Sequence, residues 1–333
     1  MSAEPIWITE AEVVASLHLG EAIDALERGL RLEAAGQART MAKTHAMWGG
    51  GHTLHAIGAV IEGPAIEGGG VVGAKSWAHT GGGAMPLLLL WSADDGRLLA
   101  VIEAFALGQM RTGGISGVAT RWLAAKGANE LAVIGTGKQA VTQVAAVAAV
   151  RPLCRIRVFS PTPENRQAFV AKLEKLLPEI AIRETASVAA AVDGAPIVTL
   201  ITRAREPFLS AGMLSSGTHL NAVGAITPER EEFTQDVFDR TDAIAVDSLG
   251  SVQALSTAFR RRFDEDWSAV QPLSALIAGG IRRPPAADLT LFKAMGMGLS
   301  DLALGIEILA RVRQSGGGRA IPHPQRVAPR LRA

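Results

Sequence analysis

The amino-acid sequence predicts an α/β chain with two different sheets, a mainly antiparallel one in its first third and a parallel one from about residue 126 onward. Three observations carry this. The 333 residues exceed the usual span of one domain, about 150 residues. Short apolar runs separated by glycine-rich breaks fill residues 39–104, whereas from residue 131 to residue 246 apolar runs alternate with helical stretches. Strands that alternate with helices of that length need right-handed crossovers, and hence parallel pairing.

At the start, Val13, Leu17, Ala22, Ile23, Leu26 and Leu30 fall near helical spacing, which predicts one or two helices over residues 9–35. Thr9 followed by Glu12 resembles a capping box. Beyond Gly36 strands are predicted at residues 39–47, 53–61, 70–77 and 87–91, and Asp94-Asp95-Gly96 reads as a hairpin turn into residues 98–104. Helical spacing returns over residues 107–125. The linker Lys126-Gly127-Ala128-Asn129 then leads into an apolar strand at 131–134, so a domain boundary is expected near Lys126. Residues 290–313 read as one long helix that returns to the first domain, followed by a basic Gly- and Pro-rich tail. The expected division is 1–125, 126–300 and 301–333.

Composition narrows the functions available. Thirty-three basic and 32 acidic residues give a net charge of +1, which provides no broad field for nucleic acid or an anionic membrane. The single cysteine, Cys154, makes no internal disulfide and suits a reducing cytoplasm. The N-terminus lacks the basic and apolar regions of a secretory signal, and no apolar run approaches about 18 residues, so a cytoplasmic location is expected. Absence of tyrosine excludes a tyrosine general acid. His45, His52, His55 and His79 form no helical i, i+4 pair and have no identified carboxylate partner, so no metal site is expected. His45 or His79 is expected to line a substrate pocket instead.

The strongest local signal is the strand 131–134 running into Gly135-Thr136-Gly137-Lys138-Gln139-Ala140 and then into a helix at 139–150. Gly135 permits a tight turn, Gly137 lets the backbone approach a pyrophosphate, and Ala140 permits close helix packing with the helix N-terminus facing the phosphates. This predicts a Rossmann-type parallel sheet domain that binds a nicotinamide dinucleotide. An acid about 20 residues on would hold a ribose 2′-hydroxyl, but the sequence there offers Ser160, Thr162 and Arg166. NADPH is therefore favoured, with NADH possible.

Around this motif stand Gly73-Ala74-Lys75, Gln109-Met110-Arg111-Thr112, Thr218-His219-Leu220-Asn221-Ala222-Val223-Gly224-Ala225 and Phe292-Lys293-Ala294-Met295-Gly296. In that order they resemble the ornithine cyclodeaminase and mu-crystallin family over nearly the whole chain. The resemblance implies an α/β substrate-binding and dimerisation domain with a mainly antiparallel sheet, a homodimer, and both chain ends in that domain. It also implies that Arg39, Lys75 and Arg111 bind a substrate carboxylate. A planar guanidinium suits a carboxylate, and charges in apolar surroundings need a partner. The cofactor set expected is the turn 135–140, then Ser160, Thr162 and Arg166, and finally Thr112, Thr202, Val223 and Gly224.

One departure bears on function. Where cyclodeaminases of the family place an aspartate after Asn-Ala-Val-Gly, this sequence has Ile226, which accepts no proton. Glu229 or Glu232 is an alternative base, but their place near Arg230 reads as solvated charge. The expected reaction is therefore NAD(P)H-dependent reduction of the C=N bond of a small cyclic 2-imino acid such as 1-pyrroline-2-carboxylate or 1-piperideine-2-carboxylate. Lys75 or a bound water would supply the proton. The alternatives are an ornithine cyclodeaminase or amino-acid dehydrogenase of the same family, and a mu-crystallin-like binding protein.

Overall fold

The computed structural model describes residues 4–66 and 69–332. Two sheets organise the chain. The first has nine strands along the order Arg319–Ala320, Ile6–Ile8, Leu98–Glu103, Leu87–Ser92, Gly69–Thr80, His52–Ile66 and Ala38–Thr40; Thr44–Trp48 pairs with His52–Ile66, and Gly83–Ala84 with Gly69–Thr80. It is antiparallel apart from the pairing of Ile6–Ile8 with Leu98–Glu103. Strand alternation divides its two faces. Ile57, Ile61, Val71, Lys75, Leu88 and Leu90 are buried on the inner face, whereas Val72, Leu89 and Trp91 are half-buried on the outer one.

Helices cover the inner face. Thr9 and Glu12 form the expected capping box for Glu10–Ser16, and His18 with Glu21 forms a second at the start of Leu19–Ala34. Ala22, Ile23, Leu26 and Leu30 fall on the buried side of that longer helix, as their spacing predicts. The hairpin at Asp94-Asp95-Gly96 is also present, with Gly96 at φ +72° and the Ser92 amide donating to the Arg97 carbonyl at 2.9 Å.

All eight strands of the second sheet are parallel, in the order Ala181–Glu184, Arg155–Phe159, Glu130–Ile134, Ile197–Leu200, His219–Ala222, Leu289–Lys293, Thr241–Val246 and Val270–Pro272. The chain leaves Glu130–Ile134 in one direction and returns on its other side at Ile197–Leu200. That reversal opens a crevice beyond the carboxyl ends of the strands, where open α/β sheets bind ligands.

The long helix expected over residues 290–313 is a strand followed by a helix. Leu289–Lys293 lies between two parallel neighbours and is buried on both faces, so its apolar residues show no alternation that periodicity could distinguish from a buried helix. The helix is Gly298–Gln314, and it packs on Leu19–Ala34 and on the strand His52–Ile66. Its first residue touches that strand directly: a Cβ on Gly298 would lie 2.0 Å from the Gly58 carbonyl oxygen. Only glycine allows this approach. It sets the first turn of the helix, with Asp301, over Ile57 and its cross-strand partner Lys75.

Candidate active site

The turn after Glu130–Ile134 fits a bound dinucleotide. Gly135 has φ +113°, and a Cβ there would stand 2.3 Å from the Ile201 carbonyl, so the turn needs glycine for conformation and for space. Gly137 has nothing within 4 Å of where a Cβ would be, which leaves its backbone open to the crevice. The helix Ala140–Ala148 starts immediately behind, its first amide donating to the Gly137 carbonyl at 2.9 Å, so the positive end of its dipole adjoins the turn. Ala140 itself is buried and serves packing.

A cleft of about 650 Å³ runs from this turn to the inner edge of the antiparallel sheet. Thr136, Gly137, Lys138 and Gln139 form one end of its wall, with Ser160 beside them. The Thr136 hydroxyl donates to that of Ser160 at 3.2 Å, which ties the turn to the tip of the next strand. Thr202, Val223 and Gly224 line the middle, and Thr112 lies next to Arg111. Thr162 and Arg166 are outside the wall. The Arg166 guanidinium is held by the Ser160 carbonyl at 2.6 Å and by Glu184 at 3.4 Å, so it braces the strand tip.

At the far end the cleft meets Lys43, Trp77 and Arg111. Lys75 stands one layer behind this wall, 3% exposed, with its ammonium on Asp301 Oδ1 and 5.2 Å from the Trp77 ring centroid. Arg111 Nε lies 3.3 Å from the same carboxylate oxygen. Asp301 is 1% exposed, and its other oxygen has no hydrogen-bond partner among the described residues. Burial pushes the Lys75 ammonium down to about 8; Asp301 opposes the shift, whereas Arg111 and Lys43 reinforce it. Lys43, whose ammonium is 5.9 Å from the Trp77 centroid, is also held below the ordinary lysine range, first by desolvation and then by Arg111.

Three expectations need correction. Arg39 does not reach the cleft. Ala38 is buried in the short strand Ala38–Thr40, so its neighbour must face the other way, and Arg39 pairs with Glu62 at the surface. Lys43, four residues later, is the cation delivered to the wall. His45 is exposed and outside the wall, opposite His55 on the neighbouring strand with their rings 5.7 Å apart. Glu232 is not solvated: it is 2% exposed and accepts four hydrogen bonds from Thr202, Gly224 and Ala225. Glu229 does lie at the surface, and Ile226 occupies the wall.

Sequence reasoning missed Lys43, Asp247 and Asp301. The legible signal for Asp301 was a lone carboxylate among Leu299, Leu302 and Ala303. Asp247 lines the cleft and accepts from the amides of Met295 at 2.9 Å and Gly296 at 2.7 Å; burial raises its pKa.

The sequence profile of the ornithine cyclodeaminase/mu-crystallin family matches residues 4–316. The chain belongs to that family. It is 29% identical over 240 residues to a Delta(1)-pyrroline-2-carboxylate reductase of Bacillus cereus, covering 71% of this chain and 73% of that protein. The ketimine reductase mu-crystallin of Rattus norvegicus is 28% identical over 217 residues, or 65% of this chain and 66% of the relative. Among solved structures, the Delta(1)-pyrroline-2-carboxylate reductase of Thermococcus litoralis, in complex with NADH and L-proline, superposes with a TM-score of 0.86 at 25% identity. That match covers 95% of this chain and all of the other. Within this family the chain is an oxidoreductase. No described helix is long and apolar enough to cross a membrane.

Proposed function

We propose that this enzyme reduces the C=N bond of a small cyclic 2-imino acid, of the 1-pyrroline-2-carboxylate or 1-piperideine-2-carboxylate type, with a nicotinamide dinucleotide. The observation that carries the reading is the single cleft that joins a complete dinucleotide turn to a cluster of cations around Trp77. A bound cofactor would supply the hydride. Its pyrophosphate would rest on the 135–139 backbone and its adenosine side on Ser160, which leaves the Thr202, Val223 and Gly224 wall to the nicotinamide. NADPH is the proposed preference, because Ser160 stands where a ribose-binding acid would repel a 2′-phosphate.

The substrate carboxylate would bind Arg111 and Lys43. Asp301 attracts Arg111 as an ion pair, with Nε 3.3 Å from Oδ1 and not hydrogen-bonded to it, which leaves the terminal nitrogens of the guanidinium for a carboxylate. The Trp77 ring supplies an apolar wall for the ring of the substrate. Lys75, one layer behind that wall, holds a proton at Nζ with its pKa lowered to about 8, which suits a proton source for the imine nitrogen, either directly or through a bound water. Ile226 in the wall supplies no base for deamination. The half-buried apolar face of Val72, Leu89 and Trp91 supports a homodimer, in which residues 1–125 and the returning C-terminal helix form the substrate-binding and dimerisation unit. The single cysteine supports a cytoplasmic setting.

The assay is loss of NADPH and NADH absorbance with each cyclic imine, beside ornithine with NAD. Oxidation of reduced cofactor by either imine is expected; ammonia from ornithine without imine reduction would overturn the reading. Lys43→Ala should raise the KM for the imine about tenfold, the loss of one charge-assisted contact, whereas Arg39→Ala should leave kcat and KM within about twofold. The opposite ranking in steady-state kinetics would return the carboxylate site to Arg39.

A further inference from the structure

Glu232 is a carboxylate 2% exposed and outside the cleft wall. Its Oε1 accepts from the Thr202 amide at 2.7 Å and the Thr202 hydroxyl at 2.8 Å; its Oε2 accepts from the amides of Gly224 at 2.9 Å and Ala225 at 3.1 Å. These donors belong to the two loops that follow Ile197–Leu200 and His219–Ala222, neighbouring strands of the parallel sheet. The loops are in direct contact, since a Cβ on Gly224 would lie 2.3 Å from the Thr202 nitrogen. From below, Lys293 at the end of Leu289–Lys293 donates to the carbonyls of Ala222, at 3.4 Å, and Ala225. It is 2% exposed, and Glu232 and Asp247 are the opposite charges nearest to it in effect.

A buried charge is costly to fold around, and a neutral side chain of the same shape would fill this space. Charge-assisted hydrogen bonds are shorter and stiffer than neutral ones, and such stiffness matters where a ring must be held within about 0.5 Å for hydride transfer. We infer that Glu232, with Lys293 beneath it, is a positioning residue for the nicotinamide half of the cofactor, fixing Thr202 and Val223–Gly224 at the separation the ring requires. The inference rests on the dinucleotide-dependent reading given above.

Binding of NADH and of ADP-ribose, which lacks the nicotinamide, separates this role from a general contribution to folding. Both are titrated by tryptophan fluorescence on the full chain, wild type and Glu232→Gln. The Kd for NADH should rise about tenfold or more, and that for ADP-ribose should stay within about threefold, because none of the four donors to the Glu232 carboxylate lies in the turn at 135–139. Equal weakening of both ligands, or of neither, overturns the inference. If Glu232→Gln fails to fold, Lys293→Met, which frees the Ala222 and Ala225 carbonyls, is judged by the same ratio. A wild-type chain that binds neither of these ligands nor NADPH overturns the dinucleotide reading, and the inference with it.

Discussion

Lys75→Met is expected to lower kcat/KM for imine reduction about a thousandfold, within the range of about 10²–10⁴ for loss of a positioned proton donor, with the Kd for NADPH unchanged. Methionine matches the length of the lysine stem but leaves Asp301 with Arg111 as its remaining cation, so some loss of stability is expected beside the loss of rate, and unchanged NADPH binding is the control for a folded variant. Stopped-flow turnover and fluorescence titration measure the two quantities. Turnover within about threefold of wild type would assign the proton to a water. The pH dependence follows with a definite sign. The folded pKa of Lys75 is lowered to about 8 from 10.5, so the ammonium predominates at pH 7 and is lost as pH rises through about 8. The wild-type rate should therefore fall on the alkaline side with an apparent pKa near 8, and the residual rate of Lys75→Met should lack that limb.

Much of this site was legible because its chemistry sits on local grammar. The turn 135–140 is read from a strand, a glycine pattern and a helix in one continuous segment, and residues 135–139 of it line the cleft. Lys75 was marked by Val71, Val72 and Trp77 around it, since a lysine in an apolar strand needs a buried partner. What remained illegible depends on side-chain direction or on distant pairing. Arg39 and Lys43 are both cations near a strand end, and only the break between Ala38–Thr40 and Thr44–Trp48 decides which one faces the cleft. Glu232 looked like one more charge in Glu-Arg-Glu-Glu, because its four donors come from loops up to 30 residues earlier. Leu289–Lys293 was read as helix because a strand buried on both faces carries no period of two.

Asp301 is the clearest instance of the same limit, and it leads to the second large effect. Its partner Lys75 is 226 residues away in sequence, and the contact exists because Gly298 lets the helix start against Gly58. Asp301 neutralises one of two cations that otherwise face each other in a site almost sealed from water. Asp301→Ala should cost about 3–5 kcal/mol of stability, the penalty for removing one partner of a buried ion pair. In a chain of this size that corresponds to a fall in Tm of roughly 4–7 °C. Asp301→Asn keeps the shape and removes the charge, which allows a test that stability alone would not pass. Asp301 is the group that raises the Lys75 pKa against burial, so without its charge Lys75 loses its proton at lower pH. The alkaline limb of imine reduction should then move below 8 in Asp301→Asn, and at pH 7 part of the activity should already be gone. A limb that stays near 8 in this folded variant would mean that the titrating group is not Lys75, and the proton donor would have to be sought elsewhere in the cleft.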